Sequence, residues 1–451
     1  VMQISARTQT TLAWAGAEVA SPAVPTNKRA SWFPVRKPLQ LTWTIDVETP
    51  GNYRASLAYS AAVDATPYEL LVNGAPAGEG VLGHTDGYFG DQQPLRNFAM
   101  FAHPFPIALK AGRQQLSLHI EAEGTPPPVG FCELQLTPEA GLAALAAEEA
   151  RAMAARAALN WFQNSRYGLM FHWTSQTQPR HGALKPYAQA VADFDVDAFA
   201  DRVAGTGAAY VMFTANHAEP TFPAPLPYWE SLYPGWTTER DLVAEMIEAL
   251  RARGIKLFLY LNLFVAYRDF GRNADADDFV DTSCRLLEEI GEHYGKRLSG
   301  YWIDSCHQLF SRYGSVPMGP IFRATKTGNL GRVTCFNWGI RPVGTPWQEF
   351  WSAETVMPGT LPPADKNGRM LSGPGKGLNG HALLIMDDFW VHKEPDTTIA
   401  DPRWSSEELI EFIRDCNEKK APVTINLAIY QDGSIGPGTA EVMDEIRSAL
   451  R

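Results

Sequence analysis

The chain is poor in the features that mark several common protein classes. Its five cysteines are an odd number among 451 residues. Cys132, Cys284, Cys306, Cys335 and Cys416 form no CxxC pair, which argues against a disulfide framework and against a structural zinc site. Lys and Arg (39) are outnumbered by Asp and Glu (50), for a net charge of −11, whereas a nucleic-acid partner requires clustered cations. No apolar run is long enough to span a membrane. No GxGxxG follows an apolar run, and neither GxxxxGK[ST] nor HExxH occurs, so no cofactor is expected and no metal site is assigned. No signal peptide is visible at Val1. A chain trimmed to its mature start would also lack one, so a secreted or periplasmic location is the expectation, with the cytoplasm left open.

Aromatic residues are abundant, with 13 Trp and 15 Tyr. Such rings fill cores and also stack on the apolar faces of sugars. The length suggests two or three domains. Residues 1–137 read as β structure, with "LQLTWTIDV" (39–47), "YRASLAYSA" (53–61), "YELLVNG" (68–74) and "QQLSLHIEAE" (114–123) separated by turn residues. That pattern predicts an antiparallel β-sandwich. In it, Trp32 and Phe33 either pack the core or bind sugar. The Ala-rich stretch 138–162 predicts a connecting helix.

From 163 to 451 apolar runs alternate with helical patterns. The runs are 167–173, 209–215, 255–263, 300–304, 332–338, 382–390 and 422–430, and helices are expected over 196–207, 239–254, 277–295 and 405–419. Repeated βα units imply a parallel sheet with right-handed crossovers. Their number favours a (β/α)8-like TIM barrel over an open, doubly wound sheet.

In a barrel the reactive groups lie where strands end. The successive runs end in His172 and Trp173; Asn216 and His217, with Glu219 after them; Asn262; Asp304, then His307; Asn337 and Trp338; Asp387, Asp388 and Trp390; and Asn426. Amides and imidazoles hydrogen-bond hydroxyls, and indoles stack on rings, so the set suits a neutral polyol. Glycosidic cleavage requires two carboxyl groups. Asp304, alone at the end of "GYWID", is the first. Glu354 and Glu349, in "WQEFWSAETVMPG" (347–359), are the candidates for the second, because an apolar setting raises a carboxyl pKa as a general acid requires.

At these residues the chain resembles the α-L-fucosidase family of retaining glycoside hydrolases. "RYGLMFHWTS" (166–175), "AAYVMFTANHAEPTF" (208–222), "GYWIDS" (300–305) and "NEKKAPVTINLAIYQDGSIGP" (417–437) are similar to four of its motifs, in order. The resemblance implies a barrel with Asp304 as nucleophile and a glutamate acid/base. Glu354 is favoured because "AET" resembles a W-E-T stretch of the family. It also implies sugar contacts from His172, His217 and Trp302. Trp173, Asn216, His307, Trp390 and Asn426 complete the expected substrate-binding set. Asn216 replaces the first of a His pair, and Ala218-Glu219-Pro220 replaces D-G-F, so L-fucose or a related sugar is expected. The N-terminal sandwich resembles carbohydrate-binding modules.

The leading expectation is therefore an exo-acting glycosidase acting on an oligosaccharide or glycoconjugate, its oligomeric state open. An inactive carbohydrate-binding protein on the same fold is the alternative. A metal-dependent hydrolase using His172, His217, Asp304 and His307 is a third reading, and Asp387 with Asp388 is a weaker metal candidate.

Overall fold

The structure is a computed structural model. It describes residues 1–5, 8–20, 32–85, 99–103, 105–264, 275–313, 315–339, 341, 343–371, 375–387 and 389–450. The chain divides into two compact units. The first is Val1–Ala154 with His307–Val316 and Ile340–Pro346; the second is Ala155–Cys306, Pro317–Gly339 and Trp347–Arg451. The expected division into consecutive segments is thus corrected, because two later excursions of the chain belong to the first unit.

The first unit holds two six-stranded sheets that are antiparallel except where Met2–Ile4 runs parallel to Leu39–Val47. Alternation along Leu39–Val47 sends Leu39, Leu41, Trp43, Ile45 and Val47 inward, as expected for a sheet with one buried face. Gly51–Ala61 and Val129–Pro138 form the centre of the other sheet. Both sheets contribute to one hydrophobic core, where Trp14 and Phe33 meet edge to face at 5.3 Å. Phe33 is therefore core, while Trp32 is half-buried.

The expected single helix over 138–162 is two helices, Leu142–Ala155 and Asn160–Gln163. The strand runs on through Pro138. Beyond Ala155 the N–H of Ala157 leaves the helical pattern and donates to Glu349 Oε1.

The second unit is built on seven parallel strands: β1 (Tyr167–Phe171), β2 (Tyr210–Thr214), β3 (Lys256–Leu261), β4 (Gly300–Ile303), β5 (Val333–Phe336), β6 (Ala382–Ile385) and β7 (Val423–Asn426). Their order across the sheet is β5-β4-β3-β2-β1-β7-β6. Residues 349–356 lie along both edges. Glu349 N–H donates to Thr334 O of β5, Leu383 N–H of β6 donates to Ala353 O, and Val356 N–H donates to Leu383 O.

Helices form where expected and for local reasons. Asp195, Asp241 and Asp275 cap Val196–Thr206, Leu242–Ala252 and Ala276–Tyr294, and Ser405 with Glu408 makes a capping box for Ser406–Glu418. Alternate residues of the strands form one packed layer that includes Met170, Met212, Phe258, Trp302 and Cys335. At Gly168 an added Cβ would lie 2.2 Å from the Tyr210 ring, and at Gly300 2.1 Å from the Phe258 ring. Only glycine leaves room for those rings. Among the described residues no helix is long and apolar enough to cross a membrane.

Candidate active site

The inward alternation runs on past the strand ends. Two residues beyond Met170, Trp302 and Cys335 stand His172, Asp304 and Asn337. They line a cavity of about 190 Å³ with Met170, His217, Tyr260, Trp302, Glu354, Phe389, Trp390, Val391 and Lys393.

Asp304 is held from several sides. Asn337 Nδ2 donates to Oδ1 at 2.6 Å, Ser305 Oγ to Oδ2 at 3.0 Å, and Trp302 Nε1 reaches Oδ1 at 3.4 Å. The Tyr260 hydroxyl lines the same cavity, near enough to feel the Asp304 charge. An ionised carboxylate accepts only, and this ring of donors suits it. Ser305 in turn accepts from Asn262 Nδ2 at 2.9 Å, and the side chain of Asn216 pairs with both the N–H and the carbonyl of Asn262, at 3.0 Å each. A relay from the end of β2 thus fixes Asp304.

Asn337 is fully committed. Its oxygen accepts the Gly339 N–H at 2.9 Å, which identifies the other end as the donor, and its two N–H groups go to Asp304 Oδ1 at 2.6 Å and Glu354 Oε2 at 2.7 Å. Two bonds of 2.6 Å and 2.7 Å from one nitrogen hold the nearest carboxyl oxygens no farther apart than the sum of the two. That is too close for the about 6.5–9.5 Å of inverting glycosidases and compatible with the closer pairing, about 5–5.5 Å, of retaining ones. Both acids sit at tight corners. Ser305 follows Asp304 with φ 61°, and Ala353 and Thr355 flank Glu354 with φ 45° and 57°. Left-handed backbone costs a non-glycine residue about 1 kcal/mol or more and recurs at functional sites.

Two imidazoles face the same space. His172 Nδ1 donates to Asn426 Oδ1 at 2.8 Å, since Asn426 Nδ2 is donated to Trp390 O. His217 Nδ1 meets the Tyr260 hydroxyl at 2.7 Å. Burial, then the neighbouring His217, hold the His172 pKa down to about 4. Burial also lowers His217, against the pull of Asp304. Burial, with Asp304 next, pushes the Tyr260 hydroxyl well up. Both rings are therefore neutral, and Nε2 of His172 is left as an acceptor for a ligand hydroxyl. Trp390 lies 5.1 Å from His172, centroid to centroid.

Several sequence-derived candidates are corrected. Glu349 lies outside the cavity and is fully buried, with Lys326 Nζ at 2.5 Å and the Thr334 and Ala157 N–H groups at 2.7 and 3.0 Å. Burial raises its pKa and the Lys326 ammonium draws it back. Trp173 follows inward-facing His172 by one residue, so it points to the opposite face. There it packs on Phe194 and Phe213 and donates to Gln431 O. Asn216 and Asn426 are buried positioning residues and do not line the cavity. His307 opens the helix His307–Tyr313 of the first unit and does not line it either. Asp387 is occupied by Ala428 N–H and the Thr439 hydroxyl, and Asp388 lies outside the described residues. Among the described residues no group of three or more His, Cys, Asp or Glu is placed to hold a metal.

Tyr260 and Lys393 escaped the sequence reading. Tyr260 lies inside its strand, and the inward parity of Phe258 is its only signal. Lys393 follows β6 in a stretch without periodicity.

Two carboxyls bridged by one amide, two neutral imidazoles and an indole around one small cavity are the equipment of a glycoside hydrolase. Residues 184–448 match the family model described as alpha-L-fucosidase, and the chain belongs to that family. No curated protein sequence matches it. It is similar to solved α-L-fucosidases. The AlfC enzyme from Lactobacillus casei is 14% identical over 64% of this chain and 98% of its own, with a TM-score of 0.43. An enzyme from Bacteroides thetaiotaomicron is 15% identical over 65% and 74%, with a TM-score of 0.46. Isoenzyme 1 from Paenibacillus thiaminolyticus is 16% identical over 67% and 71%, with a TM-score of 0.44.

Proposed function

We propose that the chain is a retaining, exo-acting glycosidase of α-L-fucosidase type, with Asp304 as nucleophile and Glu354 as acid/base. The observation that carries this reading is the Asn337 amide shared by the two carboxyls. In the first step an Asp304 oxygen bonds to the anomeric carbon. The glycosidic bond breaks as the Glu354 carboxyl gives its proton to the departing oxygen. In the second step the Glu354 carboxylate takes a proton from water, whose oxygen displaces Asp304 from the anomeric carbon. His172 and His217 accept sugar hydroxyls, and Trp390 covers the ring.

The scaffold reading belongs with this proposal. Residues 349–356 fill the sixth place between β5 and β6, so the second unit is a closed eight-membered (β/α)8 barrel, with Glu354 delivered by an irregular sixth element. The N-terminal sheets form a sandwich of carbohydrate-binding-module type. Proton NMR of the hydrolysis of 4-nitrophenyl α-L-fucoside tests the mechanism. The α anomer of the free sugar should form first, and initial release of the β anomer would refute double displacement.

A further inference from the structure

A lysine shares the cavity with the two carboxyls, and nothing in the chemistry above uses it. Lys393 lines the cavity and is partly buried. It lies close enough to depress the protonation of both His172 and His217, yet it makes no ion pair within 4.0 Å with any described residue. His217 and Lys393 also line a side recess of about 10 Å³, room for about one water, which neither Asp304 nor Glu354 reaches. The one carboxylate on that recess, Glu219, accepts the Ser175 hydroxyl. The cavity is therefore polarised. Its lining carries two carboxyls, two neutral imidazoles and, on the side of the recess that it shares with His217, an ammonium with no ion-pair partner among the described residues.

A neutral deoxy sugar gives that ammonium nothing to pair with, whereas an anionic substituent on the ring would gain a charge-assisted contact there. Resting on the glycosidase reading, we propose that Lys393 selects a sugar ring that carries an anionic substituent, a carboxylate or a sulfate ester, placed away from the scissile bond. The ammonium forms a charge-assisted hydrogen bond to that group. The imidazoles, kept neutral, accept the ring hydroxyls and do not compete for the anion.

The test compares kcat/KM for 4-nitrophenyl α-L-fucoside, its ring O-sulfates and the analogue with a carboxylate at C6, using wild type, Lys393→Met and Lys393→Arg. Wild type should prefer a sulfate or the carboxylate by about tenfold or more, mainly through KM, and the kinder of the two identifies the anion. In Lys393→Met the ratio should fall towards one, and in Lys393→Arg much of it should remain. A wild type that prefers the neutral fucoside, or a ratio unchanged in Lys393→Met, overturns the proposal while leaving the glycosidase reading intact. If no glycoside turns over, that reading fails. Binding of free L-fucose against its sulfates and L-galacturonate, followed by tryptophan fluorescence, then decides the Lys393 assignment: tighter binding of an anionic sugar, lost in Lys393→Met, supports it, and equal or weaker binding overturns it.

Discussion

Asp304 and Glu354 accept hydrogen bonds from one nitrogen, Asn337 Nδ2, at 2.6 and 2.7 Å. Because the Asn337 oxygen is anchored on Gly339 N–H, the amide cannot turn away from either acid. Asn337→Ala removes a hydrogen bond to the Asp304 carboxylate, worth about 1.5–3 kcal/mol, and one to the protonated Glu354, worth about 0.5–1.5 kcal/mol. Its kcat should fall about 10- to 100-fold, and its melting temperature should fall as well. Asn337→Asp sets a third carboxylate beside the pair and should lose more. A kcat within twofold of wild type in both variants would dismiss the bridge.

Glu354 and Glu349 are separated by consequence. Glu354→Gln should lower kcat for substrates with poor leaving groups by about 10²- to 10⁴-fold and much less for 4-nitrophenyl glycosides, whose leaving group departs without a proton. Glu349→Gln leaves the Lys326 ammonium buried without its counter-charge, which costs about 3–5 kcal/mol of stability. Its folded fraction should keep normal kinetics. Activity against both leaving-group classes, set beside urea unfolding of each variant, checks the pair of outcomes.

Asn216 acts through the relay and not by touching sugar. Asn216→Ala breaks its two bonds to Asn262, so kcat should drop while KM stays near wild type, and stability should fall by about 1–3 kcal/mol. A rise in KM alone would restore Asn216 as a sugar contact.

Acid should destabilise the fold well before carboxylates titrate. His172 and His381 are held to about 4, chiefly by burial, against an ordinary value of 6.5. As pH falls below 6.5 the unfolded chain takes up protons that the folded chain refuses. Stability is therefore fully present above 6.5 and is lost as pH falls towards 4, by up to about 3 kcal/mol per group. His381 is locked between Ser352 O and the Thr424 hydroxyl. Urea midpoints at pH 7 and pH 5 should differ less in His381→Gln than in wild type.

Much of this was legible in the sequence, because apolar runs and capping residues are local signals. The helices beginning after Asp195, Asp241, Asp275 and Ser405 fall within a few residues of expectation. Asp304 and His172 reach the cavity because the strand alternation that buries Trp302 and Met170 continues through them. The same rule, applied one residue on, would have turned Trp173 outward. What stayed hidden depends on partners distant in sequence. Glu349 and Glu354 look alike in "QEFWSAE", and only the Lys326 side chain that captures one and the Asn337 amide that meets the other tell them apart. Lys393 lies in a loop whose course no periodicity fixes.

The most direct test of Asp304 as nucleophile is to treat the enzyme with 2-deoxy-2-fluoro-α-L-fucosyl fluoride and map the product by peptide mass spectrometry. A single fluorofucosyl group on Asp304 in wild type, absent from Asp304→Ala, is the predicted result. A label on any other residue, or turnover by Asp304→Ala at the wild-type rate, would contradict the account.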